Sequence, residues 1–495
     1  MEADVISWLK SEPILKVCID VLAAADMKAY LVGGALRNLV LSQSLGFDFD
    51  IVVEGDVRDA ANLVAQRLIG SPFLLDKRLG SYRVVIKDIA DLGLRISDLT
   101  SQITNRKSEI HIDLSTYKGK DIFEDLKNRD FTINAMALDI NGLFKKKADL
   151  IDIFNGQTDA KNKTIRMLKP EIFDDDPLRL LRAVRLSAQY GLIVDKATEK
   201  RIKEKANLLA ASSWERIRDE FFSILACKES VDHLKKLYEL SLLQEILPEI
   251  RGWEDLEGYN LISHAFKTLE QGEALFHNLK VLAAELADSV ESYFQTPVGN
   301  ISKKGLFKLV LLSHDAGKPI TMKKAGERIR FIGHEVAGEA ISKRMGKRLK
   351  ISRAAAAFVA RLVRNHHRVF NLAFLEKLTE RSKAHMFRVL AGEDGIALVL
   401  LSLADARATR NGDDPELTSF VSGLINFYYK VYAVNKPNPI LKGSEVMKIF
   451  NIPEGVMVGR ILKILAEAEG EGIIKSKRDA VKLIKNWLKK SKEEW

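Results

Sequence analysis

The amino-acid sequence predicts a multidomain chain, an α+β head of about 140 residues followed by an all-α remainder. Two patterns carry the prediction. Up to about residue 140, short β-rich runs alternate with turn residues, and beyond it nearly every window repeats its apolar residues at helical spacing. The 495-residue length is about three times that of a typical domain. A content of 46% hydrophobic and 29% charged residues suits packed cores rather than a disordered or fibrous chain.

Taken in order, residues 3–25 read as a helix. The runs AYLVGG, FDFDIVVEG, SYRVVIKD, LRISDLTS and EIHIDLST then read as strands of a mixed sheet. Asp175, Asp176 and Pro177 precede LRLLRAVRLSAQYG, which predicts a helix with an acid near its N-cap and proline at its first position. Glycine- and proline-containing stretches at 252–258, 296–300 and 435–439 mark weaker boundaries. The sequence has no repeat of fixed period and no low-complexity tract.

No window approaches eighteen uncharged apolar residues, so no transmembrane helix is expected. The first residues, MEADVISWLK, carry acids and lack the basic start of a secretory signal. Cys18 and Cys227 are too few for a disulfide framework or a cysteine-based zinc site. A cytoplasmic location is the expectation. The net charge of +10 is uneven: residues 341–369 hold nine Lys/Arg and no acid, and residues 472–495 hold eight against three acids. Localised basic surface suits a ligand with a phosphate backbone.

Two constellations carry chemistry. In the first, Gly33 and Gly34 close a strand and open a helix, where freed backbone amides can hold a triphosphate with help from Arg37. Asp48 and Asp50 then interrupt an apolar strand at i and i+2, so both carboxylates share one face. Like charges so close call for a divalent cation, and Mg²⁺ keeps company with substrate phosphates. There is no G-x-x-x-x-G-K-[ST] segment to bind phosphate instead.

The Gly-Gly turn, short helix and D-x-D strand resemble the DNA polymerase β nucleotidyltransferase superfamily. With LVGGALR, FDFDIVV, RDFTINAMA, DDPLRLLRAVRL and SWERIRDEF, the chain resembles the bacterial tRNA nucleotidyltransferase/poly(A) polymerase family over residues 30 to about 222, and again near LKGSEVMKIFNIPEGVMVGRILKILAEAEGEGII. The resemblance implies that Asp48 and Asp50 are catalytic metal ligands, and that Asp113 is the third carboxylate with Asp98 as runner-up. It implies that Gly33, Gly34 and Arg37 hold the triphosphate and that Arg129 and Asp130 lie near the ribose. Asp176 and Arg179 would read the nucleobase edge in place of a template, with Arg182 reaching phosphate. Residues i and i+3 of a helix do share a face, and a carboxylate beside a guanidinium matches the edges of cytosine and adenine. Asn38 stands where the family usually has aspartate after the arginine, and Asp175 where it usually has glutamate. With Asp113 as third carboxylate, the loop before Arg129 is short, a feature of members that add only part of the CCA end.

The second constellation is histidine-rich. Six of the nine histidines fall between 264 and 367. His264, His314-Asp315, His334, His366 and Asp405 stand in the order of the HD phosphohydrolase superfamily, with Lys318 after His-Asp-x-Gly. Adjacent His314 and Asp315 can serve one site only if the segment bends or bridges two metals. The ligand set suits Mn, Fe, Co, Ni or Zn, any of which would generate hydroxide and polarise a phosphoryl oxygen.

The expectation is an α+β nucleotidyltransferase head (1–142), a neck with a base-reading helix (143–222), a helical RNA-binding connector (223–255), an HD domain (256–430) and a basic tail (431–495). It would use Mg²⁺ with CTP and ATP to add CMP and/or AMP to the 3′ end of tRNA, with a phosphohydrolase activity in the HD domain and no membrane partner. The alternatives are a poly(A) polymerase, or a metal-dependent phosphohydrolase with an RNA-binding head.

Overall fold

The computed structural model describes residues 13–41, 48–76, 80–86, 110–142, 150–325, 328–375, 378–434, 440–470, 473–474 and 476–493. The run LRISDLTS, Asp98 within it, and residues 3–12 of the expected first helix lie outside the described residues. Two compact units emerge, one of residues 1–213 with 236–245, the other of 214–235 with 246–495.

The first unit opens with α1 (Pro13–Ala24), which buries Leu15, Cys18 and Leu22, and the buried strand β1 (Ala29–Val32). After the turn at Gly33 come α2 (Gly34–Val40), β2 (Asp48–Val53) and α3 (Val57–Arg67), the last capped by the Asp56 side chain. Strands β3 (Ser71–Asp76) and β4 (Ser81–Ile86) form a hairpin, followed by β5 (Ile110–Ser115), α4 (Ile122–Lys127), β6 (Ala137–Asp139) and β7 (Leu150–Ile151). The sheet order is β3-β4-β5-β2-β1-β6-β7. Within this sheet only β2 and β5 pair in parallel. Period-two alternation puts Phe49 and Ile51 of β2 into the core and leaves Asp48 and Asp50 on the other face. On β5, Ile110, Ile112 and Leu114 are buried while His111, Asp113 and Ser115 face out of the core.

Beyond the sheet, α5 (Gly156–Lys161) begins where a Cβ on Gly156 would lie 2.2 Å from the Thr132 carbonyl oxygen, so only glycine permits the approach. The short α6 (Ile172–Asp175) precedes α7 (Leu178–Tyr190). Asp176 is extended and its Oδ1 accepts the Leu178 N–H at 3.2 Å, so Asp176 caps α7, and Gly191 in the left-handed region ends it.

The second unit is almost wholly helical. Its principal elements are α8 (Leu261–His277), α9 (Lys303–Ser313), α10 (His334–Arg348), α11 (Arg353–Asn365), α12 (Arg368–Ala373), α13 (Glu380–Val389) and α14 (Asp394–Arg410). Helix α14 is apolar all round over Ile396–Ala404 and runs through the core, packed against α8. The fully buried Lys308 of α9 donates to Glu273 Oε1 (2.6 Å), the Cys227 carbonyl (2.6 Å) and Ser230 Oγ (3.1 Å), a charge made tolerable by its partners. The last helices, α15 (Gly443–Phe450), α16 (Val456–Gly470) and α17 (Lys477–Glu493), pack around Val446, Ile461, Leu465 and Ile484. No helix among the described residues is long and apolar enough to cross a membrane.

Candidate active sites

In the first unit the pairing of β2 with β5 sets Asp50 beside Asp113 and Asp48 beside His111. Register partners on neighbouring strands present their side chains to the same side, so the three carboxylates form one wall of a cleft of about 720 Å³. Each carboxylate has a different neighbour. Arg83 of β4 clasps Asp113 with two hydrogen bonds, of 2.6 and 2.7 Å. His111 Nδ1 lies 3.1 Å from Asp48 Oδ1. Asp50 lines the cleft and is exposed to it. The protein packed around it raises its pKa by desolvation, Arg129 works against that, and Asp113 and Asp48 add to the rise. Gly33, with φ of 72°, leaves room for this carboxylate: a Cβ there would stand 3.0 Å from Asp50 Oδ2. Three oxygen donors crowded at the cost of mutual repulsion fit a hard divalent cation such as Mg²⁺.

The opposite wall is cationic. Arg37 is buried and donates to Asn134 Oδ1 (2.7 Å), Tyr190 Oη (2.7 Å) and Asn38 Oδ1 (3.0 and 3.2 Å), with its guanidinium 4.2 Å from the centre of the Tyr190 ring. These partners are neutral, so the cation is oriented without being neutralised. Arg129 is held by Asp125 through Nε (3.0 Å) and Nη2 (2.9 Å). Asp130 is buried and fully used. Its Oδ1 accepts the Phe131 N–H and the Asn134 amide, and its Oδ2 accepts Arg182 Nη1 at 3.1 Å. Burial alone would raise its pKa, but Arg182, Asn134 and Phe131 overcome this and lower it to about 2.

Arg179 donates to the Ile172 carbonyl (3.3 Å) and the Asn128 carbonyl (2.8 Å), which fixes its guanidinium at the cleft. Gly33, Gly34, Arg179 and Arg182 line the cleft, whereas Asp176 does not. Sequence reasoning passed over Arg83, His111, Asp125, Asn134, Arg185 and Tyr190. The three-residue spacing of Arg179, Arg182 and Arg185 along α7 could have pointed to Arg185. Tyr190 has no local signal, because it reaches Arg37 across the fold.

In the second unit three helices, α8, α10 and α14, and the turns after α9 and α11 converge. His264 Nε2 lies 3.1 Å from Asp405 Oδ1, 3.4 Å from Asp315 Oδ2 and 3.4 Å from His314 Nε2. His334 Nε2 lies 3.3 Å from Asp315 Oδ1, 3.1 Å from His366 Nε2 and 3.2 Å from His367 Nε2. Asp315 thus divides its oxygens between two groups, one of His264 and His314 with Asp405, the other of His334, His366 and His367. The chain bends after α9 as the adjacent His-Asp pair required, and His367 joins the residues expected from sequence. Carbonyls of Leu311, Phe331 and Val363 face Nδ1 of His314, His334 and His366 at 3.1, 2.7 and 2.7 Å. A carbonyl can only accept, so each Nδ1 carries a proton, and in the neutral ring that ligates a metal each Nε2 lone pair points into the cluster. Lys318 Nζ donates to Asp315 Oδ2 at 2.6 Å. Burial opposes charge on His314, but Asp315 and Asp405 raise its pKa to about 10, whereas burial pushes His366 down to about 3. Both donor sets fit divalent metal ions.

Comparison with known proteins gives three matches to family models. The poly A polymerase head domain matches residues 29–166, a probable RNA and SrmB-binding site of polymerase A matches 191–254, and the HD domain matches 262–410. The A-adding tRNA nucleotidyltransferase of Deinococcus radiodurans is 28% identical over 94% of this chain and 96% of its own. The CC-adding tRNA nucleotidyltransferase of Thermus thermophilus is 28% identical over 93% of each. The structure of the Thermotoga maritima CCA-adding enzyme complexed with tRNA superposes with a TM-score of 0.57 at 20% identity, covering 98% of both chains, which shows a shared fold.

Proposed function

Because this chain belongs to the tRNA nucleotidyltransferase/poly(A) polymerase family and carries an HD domain, we propose that it adds CMP and/or AMP to the 3′ end of tRNA without a nucleic-acid template. The observation that carries the reading is the wall of Asp48, Asp50 and Asp113 facing arginines across one cleft. CTP or ATP would enter with its triphosphate toward Gly33, Gly34 and Arg37. Arg37, oriented by neutral groups, keeps its whole charge for the phosphates. Arg129 and Asp130 would border the ribose, and Arg179, preset by its two carbonyl acceptors, the base edge, while Asp176 would serve as the cap of α7.

Asp48, Asp50 and Asp113 would hold Mg²⁺. When bound, Mg²⁺ lowers the pKa of the attacking 3′-hydroxyl and neutralises the departing pyrophosphate. Arg83 would hold the Asp113 carboxylate in place at the cleft. Arg182 would preserve the ionised, oriented state of Asp130. The segment from the end of β5 to Arg129 is short and includes the six-residue α4, which supports addition of only part of the CCA end.

The deciding experiment offers tRNAs lacking one, two or three of the terminal CCA nucleotides, each with single labelled nucleoside triphosphates. Incorporation of one or two nucleotides that then stops supports partial CCA synthesis. A long adenylate tract on any RNA would identify a poly(A) polymerase, and no incorporation at all would overturn the reading.

The histidine cluster favours a second activity in the same chain, a metal-dependent phosphohydrolase acting on 2′,3′-cyclic or terminal phosphates with Mn, Co, Ni or Fe. His264, His314, His334, His366, Asp315 and Asp405 would hold the metal, and Lys318 would fix Asp315. His314→Ala with Asp315→Ala should abolish such hydrolysis and leave nucleotide transfer intact. A purified protein that cleaves no phosphate ester in Mn²⁺, Co²⁺ or Ni²⁺ would remove this second activity.

A further inference from the structure

A second cleft of about 720 Å³ opens beside the histidine cluster, within the second unit. His367 belongs to both, since its Nε2 lies 3.2 Å from His334 Nε2 and its ring lines the cleft. The rest of the wall is built from α12 and α13 with the end of α11 and Glu335 of α10. Glu335, Arg364, Arg368, Ser382 and His385 supply polar groups, while Leu372, Leu375 and Met386 supply an apolar side.

One cation of the wall, Arg368, is left to meet an anion. Arg368 donates through Nε to Asn365 Oδ1 at 3.1 Å and has no carboxylate partner among the described residues. Arg364 repels it and is itself paired with Glu335, which also lines the cleft, at 3.4 Å and with Glu339 at 3.6 Å. A guanidinium that faces a cavity with no acid of its own is a receptor for phosphate. The apolar side gives a base or ribose a surface to rest on, and the volume lies in the range of small-ligand sites, roughly 300–1,000 Å³.

We propose that this cleft seats the terminal nucleotide of an RNA strand, with Arg368 binding its phosphate and the Leu372–Met386 side receiving the nucleoside. The assignment rests on the phosphohydrolase reading for its purpose, because it places a phosphate ester next to His334, His366 and His367. Its binding does not depend on that reading.

The test uses the full chain with Arg368→Ala and Arg368→Lys, and thermal melting as the fold control. Metal-free protein is titrated calorimetrically with adenosine 3′-monophosphate, an RNA oligonucleotide ending in a 3′-phosphate, and inorganic phosphate. Loss of a charge-assisted hydrogen bond should weaken both nucleotide ligands about tenfold or more in Arg368→Ala, with most of the affinity kept in Arg368→Lys. Equal affinities in the parent and Arg368→Ala would overturn the proposal, as would inorganic phosphate binding as tightly as the nucleotides. Where hydrolysis is measured, Arg368→Ala should raise KM for adenosine 2′,3′-cyclic phosphate while kcat changes less than about twofold. A fall confined to kcat would overturn a binding role. A parent protein that hydrolyses nothing, yet loses nucleotide binding on Arg368→Ala, would refute the phosphohydrolase reading and leave the cleft assignment standing.

Discussion

Asp50 sits where its own charge is least welcome, between Asp48 and Asp113 and among protein atoms that raise its pKa. The fold therefore gains nothing from this carboxylate in the absence of a cation. Asp50→Ala should cut nucleotide transfer by at least about a hundredfold, as loss of a metal ligand does, while the melting temperature holds or rises. Parallel rate and melting measurements check this, and a variant that keeps more than about a tenth of the rate would contradict the ligand role. Asp130 is the opposite case, a carboxylate that stabilises. Its pKa is depressed to about 2, so its contribution is fully present above the unfolded value near 4 and is lost as pH falls from about 4 to about 2. Asp130→Asn should cost about 2 kcal/mol at pH 7, and the deficit should shrink through that acid window. Denaturant titrations of the two proteins at several pH values measure the convergence.

At the scale of elements, the turn after α9 meets the first turn of α10 at Gly317. A Cβ there would stand 2.0 Å from the His334 carbonyl oxygen and 2.7 Å from the Gly338 nitrogen, both backbone atoms with nowhere to go. Gly317→Ala should force the two turns apart, lower stability by about 1–3 kcal/mol and reduce bound transition metal, because His314 and His334 ride on the separated segments. Melting curves and metal analysis check both effects. The same elements show what the sequence made legible. Strand β2 announced its paired carboxylates because a period of two is local, and the histidine order announced a cluster because each ligand sits beside a recognisable helix. The splitting of Asp315 between two ligand groups was not legible, since it depends on the angle at which α8, α10 and α14 cross. Nor was the partnership of Arg37 with Tyr190, or of Asp113 with Arg83, because each joins residues that only the tertiary fold brings together. Asp176 shows the converse. Its position before α7 marks it as the cap of that helix, while its distance from the cleft cannot be seen from spacing.

For the whole molecule, charge is the property with the widest reach. The last helix, α17, buries Ala480 and Ile484 and exposes Arg478, Lys482 and Lys485 on its other side. Replacing these three by alanine should leave the apolar packing intact, raise KM for tRNA and flatten the dependence of log affinity on log salt by about one unit for each phosphate no longer neutralised. Binding isotherms between low and physiological salt measure the slope, and an unchanged slope would exclude this helix from the RNA-binding surface. The single parallel pairing in the first unit's seven-stranded sheet has a kinetic consequence. Asp50 and Asp113 become neighbours only when β2 and β5 align, and the β3–β4 hairpin and residues 87–109 lie between them in the chain. Hairpins close early because their ends are near, whereas a parallel pair must first close a long loop against its entropy. The carboxylate wall thus assembles after the hairpin on refolding, so a chain able to bind nucleotide has already closed that loop.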